Sequence, residues 1–225
     1  MKRIPLAKRA LPTYTHGEEL FNMISHITGG ALGILALVLC VILAAVRKNL
    51  YGVIGGAIFG ISMILLYTMS SIYHGLSPKC KAKKVFQIID HCTIYLLIAG
   101  TYSAAAMQMI RVGFTARGFI ILGIIWGLTI IGVTLNAIDL KRYRVISMLL
   151  YLGMGWSIFA VASPAMILTI LGKHGTIYML AGGIAYTVGV LFYKLGAKHR
   201  YMHSVFHLFC IAGSLLHLMS VLSFL

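Results

Sequence analysis

His203-Ser204-Val205-Phe206-His207 sets two imidazoles one helical turn apart on the same face of a helix. That spacing lets one helix present two ligands to a single metal ion. Ser70-x3-His74 repeats the interval with a hydroxyl and a third imidazole, and Glu19, Asn22 and His26 fall at i, i+3 and i+7, a single stripe. Glu18, Glu19, Asp90 and Asp139 are the 4 acidic residues of the chain. Asp90 lies within Ile88-Ile89-Asp90-His91, where an ionised carboxylate is costly without a partner. Three His beside a carboxylate match the donor set of catalytic zinc, three protein ligands and one open position. Such a metal lowers the pKa of its bound water toward about 7 and polarises a carbonyl. Asp90 is then the group to orient or deprotonate the water, and Ser70 the one to hydrogen-bond the carboxylate, the water or a developing oxyanion. A closed zinc site that staples helices, or a metal-free hydrogen-bond network, would use the same residues.

The elements that must position these side chains are membrane spans. With 60% hydrophobic and 10% charged residues over 225 positions, the chain is not an ordinary soluble domain. Seven apolar stretches of membrane-crossing length follow one another: Asn22 to Val46, Tyr51 to His74, Phe86 to Met109, Phe114 to Leu135, Val145 to Ala162, Thr176 to Leu195 and Tyr201 to Phe224. The expected fold is therefore all-α, a bundle of seven transmembrane helices over residues 22–224, preceded by a cytoplasmic segment, residues 1–21, in a single integral membrane domain. Pro164 should end the fifth helix, with a short interfacial helix from Pro164 to Leu171 before Gly172. Gly29 and Gly33, Gly52, Gly56 and Gly60, and Gly123 and Gly127 form small-residue ridges suited to close helix packing. Cys40, Cys80, Cys92 and Cys210 lack paired spacing and read as small core residues, with Cys80 in a reducing loop.

The net charge of +15 finds its account in topology rather than in nucleic acid. Of 19 Lys and Arg, only Arg47, Lys48, Arg111, Arg117 and Lys173 fall on one side. The rest, including Lys2, Arg3, Lys8, Arg9, Lys79, Lys81, Lys83, Lys84 and Arg144, fall on the other. The positive-inside rule then places the N-terminus in the cytoplasm and the C-terminus outside, with membrane lipids as partners. In that topology Glu19, Asn22, His26, Ser70, His74, Asp90, His203 and His207, from four helices, all lie at the cytoplasmic leaflet. Asp139 is expected in a solvated basic loop.

The order Glu19-x2-Asn22-x3-His26, Ser70-x3-His74, Asp90 and His203-x3-His207 resembles the signatures of the progestin and adipoQ receptor family, and within it the bacterial hemolysin III group. The run from Asp90 to Tyr102 and the segment His207-Leu208-Phe209 are also similar to this group. The resemblance implies a seven-helix bundle in the bacterial plasma membrane with a zinc ion, Zn2+, near the cytoplasmic leaflet. It implies His74, His203 and His207 as ligands, Asp90 on the zinc-bound water, Ser70 as the motif serine, and supporting roles for Glu19, Asn22 and His26. It further implies a zinc-dependent hydrolase acting on a lipid amide or ester, contributing to membrane lipid homeostasis, or else a lytic, pore-forming protein. Ser103 and Ala104 stand where related chains often carry a Pro, so no kink is expected in the third helix from that source. Metal transport is a third reading, and it would call for ligands near the midplane and an internal repeat.

Overall fold

The computed structural model describes Leu6 and residues 9–225; Lys2, Arg3 and Lys8 of the basic N-terminal segment lie outside the described residues. The described residues form seven helices: α1 (His16–Val46), α2 (Leu50–Gly75), α3 (Lys81–Arg111), α4 (Thr115–Trp156), α5 (Ile158–Val161), α6 (Pro164–Leu195) and α7 (Met202–Phe224). Six of them are long and apolar enough to cross a membrane. The chain is a multi-pass membrane bundle.

Helix α1 starts at His16, ahead of the expected Asn22, because Thr15 caps it. The Thr15 hydroxyl accepts the Glu18 N–H at 3.2 Å while the Glu18 carboxylate accepts the Thr15 N–H at 2.8 Å. This reciprocal box satisfies two backbone donors that the helix itself cannot. Helices α1 and α2 then pack through the expected glycines: a Cβ on Gly60 would stand 2.5 Å from Leu37 Cα, and one on Gly33 2.9 Å from the Ile64 nitrogen. The Gly123 and Gly127 ridge is corrected, since a Cβ at either meets nothing within 4 Å. The glycines by which α4 approaches α3 are Gly118, against Ile110, and Gly132, against the Tyr95 ring.

Stretches four and five of the sequence are the two arms of α4, 42 residues long and broken at Asp139 (φ −164°, ψ 101°). The arms fold back on each other. Ser147 donates to Asn136 Oδ1 at 2.7 Å, and Asn136 donates to the Tyr151 hydroxyl at 3.0 Å. Both Tyr151 (2.7 Å) and Asn136 (3.3 Å) reach the His91 carbonyl on α3. Asp139 is not solvated, as the basic loop around it suggested, but buried: its Oδ1 accepts the N–H groups of Lys141 (3.1 Å) and Arg142 (3.2 Å). It caps the second arm, which is why a charged residue can sit at this corner. Gly172 (φ +69°, ψ 173°) breaks α6 in a conformation that glycine tolerates, so 164–171 is the separate short helix expected there. Helix α3 runs unbroken through Ser103 and Ala104.

Candidate metal centre

Antiparallel neighbours bring the first turns of α1, α3 and α7 and the last turns of α2 to one end of the bundle. There the ligand-capable atoms of His74, His203 and His207 all lie within 4.8 Å of one another. His203 Nε2 and His207 Nε2 are 3.1 Å apart. Two nitrogens bound to one tetrahedral zinc at about 2.0–2.1 Å would be separated by roughly 3.3 Å, so this donor pair needs little adjustment. All three side chains are buried, and His74 Nε2 has no hydrogen-bond partner. Buried polar atoms are normally paired, and a metal ion can satisfy such a nitrogen.

His74 is oriented from its other nitrogen. Its Nδ1 donates to Glu19 Oε2 at 2.7 Å, which fixes the tautomer that leaves Nε2 free for a ligand bond. Glu19 Oε1 in turn accepts from Lys83 Nζ at 2.7 Å, and Lys83 also donates to the carbonyl of Leu76 at 2.8 Å. Lys83 is therefore no loop cation: it stands in α3, 1% exposed, tied to Glu19 and to the end of α2.

The remaining expected residues divide. His26 packs face to face on His207, with ring centroids 3.7 Å apart and an interplanar angle of 18°, and neither of its nitrogens has a hydrogen-bond partner. Asn22 is fully buried, and its amide likewise has none. Ser70, buried one turn before His74, and Asp90, 3.6 Å from His91 Nδ1, line a cavity of about 520 Å³ together with His26, His203 and His207. Asp90 stands outside the 4.8 Å group of ligand atoms but faces the same space. Cys92 approaches the Val133 carbonyl through its thiol, and Cys210 lines the cavity beyond His207.

Tyr14 at this end carried no signal in the sequence, and Glu18 stood out there only as one of the 4 acidic residues. Tyr14 stacks on His203 at 4.9 Å and 21°, and burial pushes its phenol above the ordinary value, so it is a neutral lid on the cluster. Glu18 Oε1 accepts the Tyr201 N–H at 2.6 Å, pinning the turn that launches α7 to the start of α1. Residues Ala10 to Pro12 line the cavity as well, and Arg9 donates to the Ile138 carbonyl at 2.8 Å beside the α4 corner. The segment before α1 thus runs across the mouth of the site.

Most of the cavity is hydrocarbon. It lies between α3, the second arm of α4, α6 and α7, bounded by side chains such as Leu97, Ile98, Leu152, Leu180, Val190 and Phe206. Its volume falls in the range of small-molecule sites. The family described as "Haemolysin-III related" matches residues 14–218. The chain belongs to the haemolysin III family. This haemolysin III protein is 36% identical to the "Hemolysin-3 homolog" of Bacillus subtilis (strain 168), over 89% of its own length and 91% of the relative's. It is 37% identical to the "Hemolysin-3" of Bacillus cereus, over 91% and 90%. It is 26% identical to the "Monocyte to macrophage differentiation factor" of Homo sapiens, over 97% and 84%. The matched residues of this haemolysin III chain include all three His of the candidate centre.

Proposed function

We propose that the protein is a zinc-dependent hydrolase of a membrane lipid amide or ester, embedded in a bacterial plasma membrane. The observation that carries this reading is the joining of two features: a group of three ligand-capable His, two of which, His203 and His207, line the polar end of the cavity, and a long apolar chamber beyond them. A zinc ion held by His74, His203 and His207 would supply a water of lowered pKa and a Lewis acid for a carbonyl. Glu19 keeps His74 in the tautomer that binds. Asp90, which lines the cavity, would take a proton from the attacking water and pass it to the leaving amine or alcohol. Ser70, on the same lining, would donate to the substrate carbonyl oxygen as charge develops there. The chamber holds the acyl chain and excludes bulk water, so carbonyl and carboxylate meet in a low dielectric. Basic residues at this end, among them Lys79, Lys81 and Arg144, support an assignment to the cytoplasmic leaflet.

Metal analysis tests the reading together with turnover. Purified protein should carry about one zinc per chain and release a fatty acid from a ceramide-like or ester lipid, and His207→Ala should lose both. Zinc binding without turnover across a broad panel of lipid amides and esters would leave only the structural role of the metal.

A further inference from the structure

The far end of the cavity holds a titratable side chain that the hydrolytic reading leaves idle. His217 lines the same chamber as His207 but lies ten residues farther along α7, about 15 Å down the helix axis. Its ring is seated against α6 at Gly182: a Cβ there would collide with His217 Cδ2 and stand 2.7 Å from Nε2. Tyr186 packs beside it, ring centroids 5.3 Å apart at 59°. Nε2 is buried in this seat without a hydrogen-bond partner. With the Cδ2–Nε2 edge turned to α6, the Nδ1–Cε1 edge is what the ring offers to the cavity.

The other polar side chains lining this half are committed to the protein. Thr101 donates to the Leu97 carbonyl (3.0 Å) and Thr176 to that of Gly172 (2.7 Å). Thr187 donates to Gly183 O at 2.7 Å and accepts the Trp156 indole N–H at 3.0 Å. Tyr102 donates to Gly155 O and accepts the Ile158 N–H, each at 2.9 Å, and Tyr186 is bonded to Ser214 at 2.6 Å. A purely hydrocarbon chain filling this end would strip water from Nδ1 and leave it buried and unsatisfied. That loss weakens binding roughly tenfold relative to a chain that replaces the water's hydrogen bond. A hydroxyl both donates and accepts, so it meets Nδ1 in either tautomer, whereas a ketone or ether oxygen meets only the N–H form.

We propose that this end of the cavity recognises a hydroxyl carried on the hydrocarbon chain of a lipid, with His217 Nδ1 as its partner. The inference rests on the reading of the chamber as a lipid site. The test is calorimetric binding to the purified full chain in nanodiscs. The probes are palmitate and a series of palmitates bearing one hydroxyl at successive positions toward the ω end. One hydroxylated isomer should bind wild type roughly tenfold more tightly than palmitate. His217→Phe should erase that preference, with palmitate binding tightening by up to roughly tenfold because no ring nitrogen is left buried and unsatisfied, and His217→Gln, which keeps a donor and an acceptor, should retain part of it. Equal affinity for palmitate and every isomer on wild type overturns the hydroxyl subsite and leaves the lipid chamber standing, and this comparison requires no variant to fold. A preference that survives His217→Phe overturns the role of His217. Failure of wild type to bind any of the probes removes the lipid reading itself, and the subsite with it.

Discussion

His74 shows how a residue's chemistry depends on partners distant in the chain: Glu19, 55 positions earlier, accepts the hydrogen bond from its Nδ1–H, and Lys83 neutralises Glu19 from the other side. Glu19→Ala should therefore weaken zinc binding by roughly 10–100-fold, read by chelator competition, because His74 loses its fixed tautomer. The same change strands the Lys83 ammonium, so thermal stability should fall by about 3–5 kcal/mol. Glu19→Leu combined with Lys83→Met, which removes both charges and the acceptor for His74 Nδ1–H, should recover most of the stability but not the metal affinity. Asp90→Asn should keep about one zinc per chain and lower turnover by roughly 10²–10⁴-fold, the usual worth of a general base. The three His, Asp90 and Ser70 were legible as residues because ionisable and polar groups are rare in apolar stretches. Lys83 and Tyr14 were not, since a Lys at a helix start and a Tyr in a segment before the first span have ordinary roles, and only the packing turns them inward.

At the scale of elements, hydrophobic length reports where the chain crosses the membrane but not how helices touch. The Gly29 to Gly60 ridges between α1 and α2 were readable, whereas the Gly123 and Gly127 ridge was not a contact at all. A ridge looks the same in sequence whether it faces a helix or open space. Gly60→Ala should thus destabilise the bundle by about 1–3 kcal/mol through overpacking against Leu37, while Gly127→Ala should be neutral or slightly stabilising. Thermal unfolding in one detergent compares the two. The corner at Asp139 was likewise hidden: a carboxylate among Lys141, Arg142 and Arg144 reads as a solvated loop residue. It becomes a buried cap only because the two arms of α4 close against α3 through Asn136 and Tyr151.

For the whole molecule, the charge sorting of the loops predicts that the metal end faces the cytoplasm, and Cys80 makes this measurable. It is an exposed free thiol in the α2–α3 connection at that end, while Cys40 and Cys210 are buried within helices. A membrane-impermeant maleimide should label inverted vesicles through Cys80 and leave intact cells unlabelled; labelling of intact cells would invert the topology. The sequence by itself determined the membrane class, the crossing segments and the residues of the three-His group. These follow from local composition, from helical period and from the high cost of polar atoms in hydrocarbon. Only the tertiary structure decided that the three imidazoles share one point, that Glu19 and Lys83 orient them, and that a chamber runs from them to His217. Those facts depend on how the helices pack against one another, and a one-dimensional pattern sets each helix's faces without saying which neighbour each face will meet.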